Sequence, residues 1–331
     1  NMFHSGGSIG YTASNFLGWM GPVQEDAFYD YDYLYENHYS YTQLEGLNDV
    51  EHAYGNRAAI VVENVEVPPA QRDRMKEAIF EYGAIGIHYN SRPQYFNAEY
   101  AAQYCPDYKA NDHAVTIVGW DDDFPKEYFK VEPDGDGAWL VRNSWGTSHG
   151  VGGYFWLSYY DTTMSGGRAY KAVAADKYDN NYRYEKTGYN ASYISANEGG
   201  FIEAVNVFTI QNKKEVLKAV QFGLQWSNLK YFIQIYKNPE DPKDPTTGEA
   251  LLDAAICGAR SMPGQYTADL EKAVVLEKDD KIAISVTIAS DNPDVSPANR
   301  AKVCIELTME NGKTPVRPEQ KILPSGHLQA M

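Results

Sequence analysis

Cysteine is scarce here, with Cys105, Cys257 and Cys304 the only three in 331 residues. So few exclude a dense disulfide framework, and the lack of any CxxC pair argues against a zinc knuckle. At most one disulfide can form; 257–304 is the more plausible pair, because both cysteines lie in the second half, but part-buried unbridged thiols are expected instead. Long hydrophobic runs are also missing: none approaches the roughly 18 apolar residues that a membrane helix needs. Positive charge is thin, with 29 Lys and Arg against 45 Asp and Glu and a formal net charge of −16. The basic residues are dispersed and form no stripe, which disfavours nucleic acid as a partner. No HExxH occurs among the seven scattered histidines. The run Asp121-Asp122-Asp123 reads as a solvated turn, so neither metal nor cofactor is expected. No internal repeat and no leader pattern is visible. The opening Asn-Met-Phe-His runs straight into helix-like sequence, and any export signal is expected to have been removed or to lie on another piece.

What remains is a chain long enough for two ordinary domains, 43% hydrophobic and carrying 27 tyrosines. Frequent Tyr, Asn, Asp and Gly suit a secreted or surface protein. In IGYTASNFLGWM (9–20), Ile9, Ala13, Phe16, Leu17 and Met20 share one helical face, and Gly21-Pro22 stops the helix. Residues 26–56 show no clean period. IVVENVEV (60–67) reads as a strand. Pro68-Pro69 then starts a helix with Met75, Ile79 and Tyr82 on one face and Gly83 as its cap. AIGIHY (84–89), HAVTIVGW (113–120), YFKVE (128–132), AWLVRN (138–143) and GYFWLSY (153–159) are further strand candidates.

Composition shifts near residue 176. DKYDNNYRYEKTGYNASY (176–193) is polar and rich in tyrosine, as a domain link would be, and is expected to pack on the first domain through its tyrosines. Beyond residue 200 the pattern is purely β. KIAISVTI (281–288) puts Ile282, Ile284, Val286 and Ile288 on one face and Ala283, Ser285 and Thr287 on the other. VCIEL (303–307), AVQFGLQW (219–226) and YFIQIYKN (231–238) follow suit, and the whole predicts an antiparallel sandwich. The expected limits are 1–178 and 179–312, with the Pro-bearing 313–331 as linker or tail.

Two polar residues interrupt apolar strands at their ends: His113 opens HAVTIVGW, and Asn143 closes AWLVRN. If the two strands are neighbours, both side chains meet at one rim. An amide oxygen bracing one ring nitrogen fixes the histidine tautomer and leaves the other nitrogen to act as a base. Trp145 would then shield that hydrogen bond from water. Taken singly, His113 is more often a structural histidine, and Asn143 a turn former.

The phrases around them settle the choice. ANDHAVTIVGW followed by WLVRNSWGTSHGVGGYFWLSY resembles the His and Asn segments of papain-like cysteine peptidases. There the Asn-Ser-Trp-Gly run is followed by Trp/His-Gly and then Gly-Tyr, places filled here by Gly150, Gly153 and Tyr154. The resemblance spans about residues 6–175. It implies an α+β first domain, mainly the β-barrel half of the peptidase fold, and hydrolysis of a protein or peptide substrate. His113 becomes general base and imidazolium partner, Asn143 its orienter. Gly6 and Gly7 would line the cleft where an extended peptide pairs with backbone, and Ala114 would form a wall of the main specificity pocket.

The departure from the family is large. Its nucleophilic cysteine precedes the histidine by about 130 residues or more, and counting back from His113 runs off the start of the chain. Cys105, eight residues before His113, does not sit at a helix N-terminus that would lower its pKa. The nucleophile is therefore expected on a missing N-terminal segment or a light chain, leaving this chain alone inactive. Residues 182–310 resemble, more loosely, the lectin-like domain of bacterial surface cysteine peptidases. That implies an extracellular or cell-surface, Gram-positive setting and a cell-wall or glycan contact. Trp226 or Tyr231 could stack on a sugar, though a core or interface role is favoured for them. The alternative reading is an inactive peptidase-like adhesion module.

Overall fold

The computed structural model describes residues 9–19, 21–22, 57–107, 110–183, 191–194, 201–241, 243–290, 302–305, 321–322 and 327–329. The chain divides into two units, Asn64–Lys171 on one hand and Asn1–Glu63 with Ala172–Met331 on the other. In chain order come α1 (Ile9–Leu17), β1 (Ala59–Glu66), α2 (Arg72–Tyr82), β2 (Ile85–Tyr89), β3 (Phe96–Asn97), β4 (Ala102–Gln103), β5 (His113–Asp121), β6 (Ala138–Arg142), β7 (Tyr154–Ser158) and β8 (Ser165–Ala174). Then follow β9 (Ala191–Ile194), β10 (Phe201–Thr209), β11 (Lys214–Leu224), β12 (Leu229–Lys237), β13 (Glu249–Ala250), β14 (Ile256–Arg260), β15 (Gly264–Glu277), β16 (Lys281–Ala289), β17 (Lys302–Ile305), β18 (Lys321–Ile322) and β19 (His327–Gln329).

In the unit Asn64–Lys171, α2 buries Met75, Ala78 and Ile79. Its C-terminus is closed by Gly83 at φ 84°, whose N–H donates to the Ile79 carbonyl. That left-handed residue satisfies an orphan helix carbonyl at no Cβ cost. Strands β2, β5, β6 and β7 pair antiparallel in chain order, although long loops rather than tight turns join them. β8 takes the other side of β2, at a place where the sequence pattern shows no strand. Its Gly166-Gly167 reads as a breaker. A Cβ on Gly167 would stand 2.0 Å from the Val67 carbonyl oxygen, so glycine is what lets β8 approach the end of β1 there. YFKVE is no strand: residues 126–128 form a 3₁₀ turn. Only Phe129 of the segment is fully buried, against Ala102, Phe124 and Ala138, while Val131 is exposed.

The expectation of a β-barrel half is overturned. The strand order β11-β15-β1-β8-β2-β5-β6-β7-β4-β3 is an open path, and among the described residues no sheet closes on itself. Closure needs two free edges of matching length and tilt. Here one end is the two-residue β3, and the far edge of β1 is already taken by β15, whose Thr267 hydroxyl donates to the Val62 carbonyl at 2.7 Å.

In the other unit, β11 and β15 pair antiparallel. β16 lies between β10 and β12, antiparallel to both, and β19 joins β10 in parallel. Phe222 of β11 meets Tyr231 of β12 with ring centroids 4.5 Å apart and Tyr266 of β15 at 6.2 Å, so the two sheets face each other across aromatic packing. Tyr231 is thus a core residue, while Trp226 is exposed. β16 buries Ala283 and Ser285 as well as Ile282 and Ile288, so both of its faces are covered. Helix α1 stops at Leu17, three residues short of the expected end, and buries Ala13 and Leu17. Trp19 packs with Ile60, Val62 and Tyr178 within this unit.

Met75→Ala is expected to cost about 2–5 kcal/mol through the cavity it leaves, whereas Phe80→Ala, at a side chain 90% exposed, should stay within about 0.5 kcal/mol. Urea unfolding of the two variants checks this.

Candidate active site

The antiparallel pairing of β5 with β6 brings the first residue of β5 to the end of the sheet where β6 finishes. His113 and Asn143 therefore share one rim. Strand alternation puts His113 on the same face as the buried Val115 and Ile117. Its ring is half-buried, and its Nε2 lies 2.8 Å from Asn143 Oδ1. The same oxygen accepts the Ser144 backbone N–H at 2.8 Å. Because that N–H can only donate, the Asn143 atom facing both groups is oxygen, and His113 Nε2 must carry the proton. Neutral His113 thus keeps its lone pair on Nδ1. Asn143 is buried, and its Nδ2 has no hydrogen-bond partner among the described residues.

Backbone around both groups is pinned. Asn143 N–H donates to the Gly153 carbonyl at 2.9 Å, and Gly153 N–H to the His149 carbonyl at 3.1 Å. Gly150, at φ 63°, closes this loop: a Cβ there would stand 2.0 Å from the Tyr154 carbonyl oxygen. On the other side, the segment before His113 is held by a polar lattice. Asp112 N–H donates to the Tyr89 carbonyl at 3.1 Å. Asp112 Oδ1 accepts the Ser91 N–H at 2.8 Å. Buried Asn90 donates its Nδ2 to the Ala110 carbonyl at 2.7 Å, and Gln103 Nε2 donates to the Asn90 carbonyl at 2.6 Å. Asn90 N–H reaches the Thr163 hydroxyl, and Thr163 donates in turn to Asp161. Burial pushes the Asp161 carboxyl pKa up, opposed by the bonds it accepts from Thr163 and from the Cys105 N–H.

Trp145 stacks on His113 with centroids 4.4 Å apart and planes 23° apart. It is 48% exposed, so its outer side faces solvent while its inner side covers the imidazole. The Tyr89 ring lies 5.9 Å from the same imidazole. Ala114 is the next residue of β5, exposed and opposite His88 on β2. Gly6 and Gly7 lie outside the described residues. Cys105 is fully buried, with Sγ 3.2 Å from the Asp107 carbonyl oxygen. Cys257 is exposed and unbridged. The acidic turn carries an Asp122–Lys76 ion pair and a Tyr159 hydroxyl bond to Asp122.

The residue that sequence reasoning passes over is His149. It meets Trp145 nearly perpendicular at 4.8 Å and stacks on Phe96 at 5.1 Å. Its position four residues after Trp145, directly before Gly150, is a usable signal for a ring close to the indole.

Comparison with known proteins agrees with this arrangement. The family model for the papain family of cysteine proteases matches residues 6–175, and that for a lectin-like domain matches residues 181–321. Bovine cathepsin S (Bos taurus) is 29% identical over 121 residues, 36% of this chain but only 33% of cathepsin S. A clostridial cysteine protease, Cwp84, solved after propeptide cleavage, superposes with a TM-score of 0.73 at 25% identity, over 93% of this chain and 72% of that one. The cysteine protease and lectin-like domains of Cwp84, a surface-layer-associated protein of Clostridium difficile, give 0.70 at 25% identity, covering 90% of this chain and 62% of that one.

Removing the acceptor should free the imidazole. In nitrogen-15 spectra, wild-type His113 is expected as the Nε2–H tautomer, and Asn143→Ala as a mixture of both. A net hydrogen bond of about 1 kcal/mol corresponds to a roughly fivefold bias lost.

Proposed function

This chain belongs to the papain family of cysteine proteases, and we propose that it supplies the histidine and asparagine of a Cys-His-Asn peptidase site. The observation that carries the reading is the His113–Asn143 bond, with its fixed tautomer, lying under Trp145. A base with a defined lone pair on Nδ1 can take a thiol proton and hold it as an imidazolium beside the thiolate. The thiolate attacks the peptide carbonyl, and His113 Nδ1–H gives its proton to the leaving amine. His113 then accepts a proton from the water that hydrolyses the acyl-enzyme. Throughout, Asn143 Oδ1 keeps the ring from turning. The thiol is assigned to a segment or light chain beyond these 331 residues. Cys105 is a poor candidate, since its sulfur is buried against a carbonyl in a hydrogen-bonded loop.

Gly6 and Gly7 are assigned to the substrate cleft and Ala114 to its specificity wall. Residues 1–178 would form the peptidase domain, and 179–312 the lectin-like one. The surface-layer association of the clostridial relative supports an extracellular or cell-surface location in a Gram-positive bacterium. In that setting the lectin-like part would make the cell-wall or glycan contact.

The test uses the complete gene product with a fluorogenic peptide. His113→Ala is expected to lower kcat by about 10²–10⁴-fold, and Asn143→Ala by less. Equal rates for wild type and His113→Ala would remove His113 from the mechanism. A complete product with no thiol that labels with a peptide-directed probe would favour the adhesion-module reading.

A further inference from the structure

We propose that His149 is a positioning residue of this site: as a neutral ring it braces Trp145 over His113, and as a cation it is disfavoured by the His113 imidazolium across the indole.

The bracing follows from the packing. His149 backbone is tied at both ends, its N–H to the Gly146 carbonyl at 3.4 Å and its carbonyl to the Gly153 N–H at 3.1 Å. Its ring is stacked on Phe96 at 28° between planes and perpendicular to Phe155 at 6.0 Å. It also meets Trp145, at 84° between planes. Trp145 is therefore in contact with both the His149 ring and the imidazole of His113, with much of its remaining surface in solvent. The ring contacts of Trp145 among the described residues are with His113 and His149, so removing the His149 ring takes away one of its two aromatic supports.

The competition follows from the chemistry of the ring. Phenyl or indole would brace equally well, but imidazole also takes a proton. The groups that face His149 are Trp145 and Gly146 on its own loop, Phe96 from β3, Phe155 from β7 and, across Trp145, His113 from β5. Of these only His113 can become charged. Two ring-to-ring steps keep the pair within roughly 10 Å, the screening length at 0.1 M salt. Burial first, and the positive charge of His113 second, hold the His149 pKa below the ordinary histidine value. A group whose folded pKa is depressed favours the fold in its neutral form. That contribution is present above the unfolded pKa near 6.5 and is lost as pH falls through the folded pKa.

The catalytic consequence rests on the peptidase reading, but the coupling between the rings does not, so the test is made on this chain without the catalytic thiol. Histidine ring signals are titrated by NMR in wild type, His113→Gln, His149→Phe and His149→Ala. His149 is expected to titrate below the ordinary histidine range and to move up in His113→Gln by roughly half a pH unit. An aromatic filler without charge coupling would leave the His149 midpoint unmoved in His113→Gln, which would overturn the competition. For the bracing, exchange of the His113 Nε2–H with solvent should quicken about tenfold in His149→Ala and stay near wild type in His149→Phe, since shielding and not charge is at stake. Equal exchange in all three folded proteins would overturn it. Unchanged β-sheet amide signals certify folding, and the Phe variant keeps the test open if the Ala variant does not fold.

Discussion

One carboxamide oxygen holds the candidate site together. Asn143 Oδ1 accepts both the Ser144 N–H and the His113 Nε2–H. The first bond identifies the atom as oxygen, and the second fixes which histidine nitrogen is protonated. Nothing in the mechanism assigned to His113 works with the other tautomer, because the lone pair would then point at the asparagine. A hydrogen bond of this sort is worth only about 1 kcal/mol net in water. Burial of Asn143 and the Trp145 lid raise its value by keeping water from replacing either partner.

That bond depends on two loops, and each is held by its own means. The loop after Asn143 is shaped by backbone: its carbonyl and amide pairs, and the close approach at Gly150, leave room for no side chain at that point. The segment before His113 is shaped by side chains, from Asp112 and Asn90 through Gln103 and Thr163 to Asp161. Cys105 belongs to this second lattice through its backbone N–H, which gives the thiol nearest in sequence to His113 a structural place.

Much of this is legible in the sequence because the signals are local. Alternation marks β2, β5, β6, β7, β12 and β16, and Gly83 marks the end of α2. His113 and Asn143 stand out because each is a polar residue at the end of an apolar strand. What is illegible depends on partners distant in the chain. β8 looks broken by Gly166-Gly167, and only the neighbouring Val67 carbonyl explains the glycine. YFKVE alternates well enough for a strand, yet only Phe129 of it is fully buried, so no ladder forms. The open sheet cannot be foreseen, because the strand that occupies the edge of β1 begins about 200 residues later. His149 escapes notice because a histidine among aromatics has no periodic signature.

The pairing of β15 with β1 also limits how such a chain can be rebuilt. β1 is buried along nearly its whole length, with Ile60, Val61 and Val62 inside. A chain cut after the tyrosine-rich stretch would strip that strand of its neighbour and bare a row of unpaired amides beside apolar side chains, the edge that invites strand-to-strand aggregation. Recombination that swaps the C-terminal half for another module therefore succeeds only if the newcomer brings a strand to dock there. First and late strands are cut from one cloth, and neither has a finished hem without the other.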